Sequence, residues 1–425
     1  MSRFLFVVPP LVGHVNPTLG VAAELAARGH ATAWAGHPEL VGRLAGPDAE
    51  VHPCAIATGP AADEPVRRPP DLRGPAALKF LWESFLVPLA EAMAPGVAAA
   101  VEAFGPDVVV ADQQAVAGAL VAERLGLPWA TSATTPAEFT GALDGMPLVE
   151  AWIGGLLGDL RKRIGDPEST ADPRFSPRLT LAFTTPELTG PASTPASTAA
   201  SSSVDVPGGA PGDVPGAAVA GRPIAFVGPS IAPRAADPSF PWQWLDPRRA
   251  LVLVSLGTAN SDAGAAFLTS CRNALRARAD RLQAVIVDPD GLLGFPPPDP
   301  DVLVLPSVPQ LPLLARTAAV VCHAGHNTVC EALWHGVPLV VAPIRDDQPV
   351  VAGQVVAAGA GVRVRFGRTD AARLGAAVDT VLTDPAHRAA AQRVAASFRA
   401  AGGAAAAASH LELLHHPAPQ PTGRR

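Results

Sequence analysis

A chain of 425 residues is too long for one ordinary core, and two domains of roughly 150 to 200 residues are the natural division. Its 32 Lys and Arg against 38 Asp and Glu give a net charge of −6, with 16% charged residues and no long basic run, which argues against nucleic acid as a partner. Mean hydropathy is positive, but the apolar content is largely Ala scattered among Gly, Pro and Arg, and no run approaches ~20 uninterrupted apolar residues, so no transmembrane segment is expected.

The opening MSRFLFVVPP carries one Arg and a very short apolar core ending in Pro-Pro. It reads as the first strand of a cytoplasmic protein rather than as a leader. A strand at Arg3 to Pro9, a Gly-containing loop, a helix over Pro17 to Gly29 and a strand at Ala31 to Gly36 make a first β-loop-α-β unit. The segment Gly190 to Gly221 consists mainly of Ser, Thr, Pro, Gly and Ala and lacks the large apolar residues needed to offset ordering entropy, so it is expected to be a flexible insertion. Pro223 to Ser230 reads as the last strand of the first half, and Phe240 to Pro247 as a connection.

The rhythm then restarts, with a strand at Arg249 to Thr258, a helix over Ala263 to Asp280 and a strand at Leu282 to Asp288. Strands alternating with helices of this length predict an α/β protein of two doubly wound parallel-sheet domains. Ala386 to Leu414 is Ala-rich and helical by propensity, and the end of the chain is expected to be disordered. Four cysteines, Cys54, Cys271, Cys322 and Cys330, lack CxxC spacing and are expected to be reduced and buried, with neither disulfide nor metal role.

Residues 320 to 348 hold the strongest signal. Two apolar runs, Ala318 to Cys322 and Val337 to Pro343, end in polar clusters, His323-Ala-Gly-His-Asn-Thr328 and Arg345-Asp-Asp-Gln348, with a helix between. Loops leaving the carboxyl ends of parallel strands meet where ligands bind. Gly325 permits close backbone approach, and Asn327 and Thr328 open a helix whose free N–H groups favour an anion, with His323 poised to donate to it. Glu331 suits the vicinal hydroxyls of a ribose, and Asp347 and Gln348 suit sugar hydroxyls. The set fits a nucleotide sugar.

The stretch resembles the signature of the UDP-glycosyltransferase superfamily, the GT-B enzymes that include actinobacterial macrolide and plant secondary-metabolite glycosyltransferases. That pattern matches at Pro309-Gln310, His323, Gly325, Asn327-Thr328, Glu331 eight residues after the His, Gly336-Val-Pro338, and Asp347-Gln348, which ends seventeen residues after the Glu. The resemblance implies the Val308 backbone and Gln310 beside the base and ribose, and Glu331 on the ribose hydroxyls. It implies His323, Asn327, Thr328 and Thr258 at the diphosphate, and Asp347 and Gln348 at the sugar. Ser307 stands where plant members carry a Trp that stacks on uracil, which leaves uridine and thymidine donors both open.

In the first half, Gly13-His14 and Asp112, at the end of the strand-like PDVVVAD, match the superfamily's base dyad. The resemblance implies His14 as general base, oriented by Asp112, with Thr134 directed at the donor sugar. It further implies an acceptor-binding domain over residues 1–230 that includes the 190–221 insertion, and a connection at 231–247. A nucleotide-sugar-binding domain would follow over 248–414, its final helix packing back on the first half, with a tail at 415–425. The expected reaction is inverting, metal-independent transfer from a UDP- or dTDP-sugar to a hydroxyl of an apolar small molecule. No separate cofactor is implied. Trp82, Phe85, Phe139, Met146 and Trp152 are candidates for the acceptor walls.

Asp288-Pro-Asp290 and Asp299-Pro-Asp301 fit the letters of a metal-binding DxD, but their Pro-rich surroundings explain them as turns. A nucleotide-sugar epimerase and a non-catalytic nucleotide-sugar-binding partner share the fold and stand as alternatives. No GxGxxG opens either half, which argues against a dinucleotide dehydrogenase.

Overall fold

The structure, a computed structural model, describes residues 1–56, 72, 74–141, 145–190, 217–219, 222–232, 240–257, 264–294, 297 and 299–415. Strands β1 (Arg3–Val7), β2 (Ala31–Gly36), β3 (Val51–Pro53), β4 (Val108–Asp112), β5 (Trp129–Ala133), β6 (Thr180–Ala182), β7 (Ala217–Val219) and β8 (Arg222–Phe226) form one sheet. Its order is β3-β2-β1-β4-β5-β6-β8-β7, parallel except where β7 pairs antiparallel with β8. Strands β9 (Ala250–Ser255), β10 (Leu282–Val287), β11 (Val302–Leu305), β12 (Thr317–Cys322), β13 (Leu339–Val341) and β14 (Gly361–Arg363) form a second, all-parallel sheet. Its order is β11-β10-β9-β12-β13-β14. Helices cover both faces, so the central strands are buried on both sides and read as continuous apolar runs. Phe4, Leu5, Phe6 and Val7, for example, are each at most 1% exposed.

Each sheet reverses strand order once near its middle, between β1 and β4 in the first and between β9 and β12 in the second. The chain departs to opposite sides there, opening a crevice at the strand ends. Register sets what meets in it. Val7 pairs with Ala111, so the segment leaving β1 emerges level with Asp112, and Asp112 pairs with Ser132, which places Thr134 just beyond it. In the second half Ser255 pairs with Cys322, so Gly257 and His323 leave the sheet together.

Several elements depart from sequence expectation. The first helix runs over Val12–Ala27, beginning five residues before Pro17, so His14 lies in a helical turn rather than a loop. Pro17 thus lies inside the helix, where it has no N–H to offer the carbonyl four residues earlier. The Ala-rich stretch is two helices, Pro385–Ala400 and Gly403–His415, broken where Gly402 and Gly403 take positive φ of 87° and 56°. The second helix includes His415; residues 416–425 lie outside those described. Within the expected insertion only Gly190 and β7 are described, and β7 is a strand.

The final helix packs on the first half. Ala408 and Leu411 share a core cluster with Phe4 and Leu25, and Glu412 accepts from Arg28 (2.8 Å) and pairs with His30 (2.9 Å). One helical stretch, Gly74–Phe104, is long and apolar enough to cross a membrane by length and composition. Its Leu86, Leu89, Met93 and Val97 are instead buried in the first half's core, and Lys79, Glu83, Glu91 and Glu102 are exposed. All four cysteines are free and buried.

Candidate active site

Three side chains from three segments converge at the first crossover. His14 Nδ1 lies 2.9 Å from Asp112 Oδ1 and 2.7 Å from Thr134 Oγ1, and the Thr134 hydroxyl donates to Asp112 Oδ2 at 2.9 Å. The Thr134 proton is thereby used, so its oxygen faces Nδ1 as an acceptor, as does the carboxylate. Both neighbours require Nδ1 to carry hydrogen, which leaves the Nε2 lone pair available to take a proton. The sequence reading sent Thr134 to the donor sugar; the structure turns it to the dyad. Asp112 also accepts from the Gln114 amide (2.8 Å), so it caps its turn while orienting the imidazole.

Burial disfavours the His14 cation, but the charge and hydrogen bond of Asp112, aided by Asp347 and Glu138, outweigh it and hold the pKa above its ordinary 6.5. Sequence reasoning missed Glu138. It sits in a loop with no recognisable motif, and only the fold brings it near His14 and Asp112. Burial raises its pKa against the pull of Arg174, whose guanidinium lies 3.4 Å from it.

At the second crossover, His323 ends β12 in a tight seat. A Cβ at Gly325 would stand 2.2 Å from His323 Nε2, and one at Gly257 would stand 2.8 Å from Cε1, so both glycines are required by the ring itself. Between His323 and Gly325, Ala324 takes a positive φ of 66°, a conformation costly for a residue with a Cβ and typical of functional loops. Burial drives the His323 pKa down to about 4, opposed only by the Ser255 backbone, so the ring is neutral near pH 7. Its Nδ1 is buried with no hydrogen-bond partner among the described residues. The helix His326–Trp334 begins at once, with Gly325 at its N-cap and no side chain capping it. A neutral imidazole beside uncapped N–H groups suits a phosphate. Thr328 lies in that first turn, nearly buried at 9% exposure. Thr258 falls outside the described residues.

One turn further, Glu331 accepts from Gln310 Nε2 at 2.7 Å, so the two residues assigned to ribose and base do meet. Val308 packs against the core and Ser307 is exposed. Asp347 occupies the N-cap position of helix Gln348–Ala357 without a side-chain cap bond, so its carboxylate is not spent on capping. Burial, then Asp346, raises its pKa to about 6. Gln348 Oε1 accepts from the Ile344 and Arg345 amides at 2.9 and 3.1 Å, holding the loop and leaving its NH₂ end for other partners. A small cavity at the seam between the halves is bounded by Asn16, Pro17 and Ser230 on one side and Asn327 and Glu331 on the other.

Asn327 departs from its assignment. Its Nδ2 donates to the Gly13 carbonyl of the first half at 2.7 Å. The aromatic wall is only partly available, because Trp82 and Phe139 are 3% and 5% exposed and belong to core clusters. The DxD letters serve turns. Asp288 accepts from the Leu292 and Leu293 amides, and Asp299 accepts from the Asp301 and Val302 amides and pairs with Arg276.

Two Rossmann-like parallel sheets, with an imidazole–carboxylate pair at one crossover and an uncapped helix start at the other, make up a GT-B fold. Residues 296–414 match the family model described as "Erythromycin biosynthesis protein CIII-like, C-terminal domain". The chain is similar to a demethyllactenocin mycarosyltransferase of Streptomyces fradiae, at 29% identity over 98% of this chain and 87% of the relative. It is likewise similar to a 4'-demethylrebeccamycin synthase of Lentzea aerocolonigenes, at 29% identity over 94% and 96%. Among solved structures, the kitacinnamycin glycotransferase superimposes with a TM-score of 0.74, at 25% identity, covering 97% of this chain and 98% of that one. In sequence and fold the chain is similar to natural-product glycosyltransferases, and it is a hexosyltransferase.

Proposed function

We propose that the enzyme moves a hexose or deoxyhexose from a UDP- or dTDP-sugar to a hydroxyl of an apolar small-molecule natural product, with inversion and with His14 as general base. The observation that carries this reading is the cluster of His14, Asp112 and Thr134, which fixes the tautomer a base needs. His14 Nε2 takes the acceptor's hydroxyl proton as the acceptor oxygen bonds to the anomeric carbon. The bond from that carbon to the diphosphate breaks, and its electron pair departs on the diphosphate. Asp112 steadies the imidazolium. The uncapped helix end with His323 and Thr328 supplies the counter-charge for the leaving group, and an α-linked donor gives a β-linked product.

Glu331 with Gln310 would grip ribose, and Asp347 with Gln348 the sugar. The exposed Met146 and Leu148, at the start of helix Pro147–Ile164, offer apolar surface to the acceptor. The relatives' names, a mycarosyltransferase and a demethylrebeccamycin synthase, support a small-molecule acceptor. Four reduced cysteines support a cytoplasmic setting. The test is a matrix of UDP- and dTDP-sugars against apolar alcohols, read by mass spectrometry. Turnover of the donor to an epimer with no acceptor present would sink the reading.

A further inference from the structure

We infer that Asn327 is a positioning residue that latches the two halves together, rather than a ligand of the diphosphate. In a regular helix the Gly13 carbonyl would accept from the amide of residue 17, but that residue is Pro17, inside helix Val12–Ala27 and without an N–H. The orphaned carbonyl is taken by Asn327 Nδ2, across the seam, at 2.7 Å. A carbonyl only accepts, so the amide orientation is settled: nitrogen faces Gly13. Of the two hydrogens on that nitrogen, one is committed to Gly13, so the side chain is held against the first half's backbone.

The neighbouring residues give the contact its consequence. Gly13 directly precedes His14, and Asn327 is the second residue of the helix whose start forms the anion seat. One hydrogen bond thus ties the backbone beside the proposed base to the element proposed to hold the leaving group. A Cβ at Gly13 would lie 3.3 Å from Asn327 Nδ2, so glycine gives the amide room. Pro17 and Asn327, each at the seam cavity, form one device: the proline withholds the intrahelical partner, and the asparagine supplies the interdomain one. The inference rests on the reading of His14 as base.

Three variants test it: Asn327→Ala, Pro17→Ala and the double. Asn327→Ala is expected to lower kcat by at least about tenfold and to raise the ratio of donor hydrolysis to transfer, while nucleoside diphosphate affinity by calorimetry changes by less than about threefold. Pro17→Ala gives the Gly13 carbonyl an intrahelical donor. It should raise Tm, because a helix-interior proline is removed, yet lower kcat, because the carbonyl is drawn away from Asn327. The double variant should be no slower than Asn327→Ala, since both act through one carbonyl. A loss of diphosphate affinity beyond about tenfold in Asn327→Ala would make it a phosphate ligand and overturn the latch; so would losses that multiply in the double variant, or a kcat that rises with Tm in Pro17→Ala. His14→Ala, run alongside, reports on the base separately. Retained turnover there removes the base while the non-additivity still reads the latch.

Discussion

Thr134→Val isolates the hydroxyl that joins His14 to Asp112 while nearly preserving shape. The wild-type hydroxyl makes two short contacts, 2.7 Å to His14 Nδ1 and 2.9 Å to Asp112 Oδ2, in a site where Thr134 and Asp112 are 3% and 1% exposed. Water is therefore poorly placed to replace it. Losing a donor to a buried carboxylate costs about 1–3 kcal/mol. Asp112 Oδ1 still holds Nδ1 at 2.9 Å, so the tautomer survives and the low end of that range should appear in the barrier. We expect kcat to fall by about tenfold, with donor KM and diphosphate affinity unchanged. Initial rates at saturating donor and acceptor, with calorimetry on the diphosphate, make the measurement. A normal kcat with a raised donor KM would refute the reasoning and return Thr134 to the donor sugar.

His14→Ala should lose at least about 10² in turnover with nucleotide affinity within a few-fold, because a base acts mainly in the transition state; near-normal turnover would remove it from the mechanism. The base must be unprotonated and its pKa is raised, so kcat/KM should fall as pH drops through a value above 6.5. Asp112→Asn removes the main charge opposing burial, leaving only Asp347 and Glu138, and should move that limb to lower pH, so an unmoved limb would assign the titration elsewhere. Chelation by EDTA should leave the rate unchanged, as the DxD letters are occupied in turns and ion pairs; inhibition reversed by added metal would contradict this. Glu331→Ala should weaken diphosphate and intact donor alike by about 1–3 kcal/mol, whereas Gln348→Ala should spare the diphosphate and lower transfer. Equal losses of diphosphate affinity would show that ribose and sugar are not read by these two residues separately.

The alternation of apolar runs and helical stretches determined that the chain is α/β and restarts once, because strands buried on both faces carry few polar residues and so announce themselves. The polar residues ending those runs, His323 and Asp112 among them, were legible for the same reason. Spacing along the chain also carried the turn at His323 to Glu331, since a glycine, a helix start and a carboxylate one turn later are local geometry. Partners across the chain were not legible. Thr134 and Glu138 come near His14 only because β4 and β5 pair in one register and the following loop folds back, and Asn327 meets Gly13 only across the seam. Nothing local distinguishes a phosphate-facing asparagine from one that bonds a distant carbonyl; the difference lies in which elements the two crossovers bring face to face. Pro17 misled for a related reason. Proline marks a helix start when only the chain is read, but here tertiary structure extends the helix ahead of it and gives the exposed carbonyl a partner from the other half.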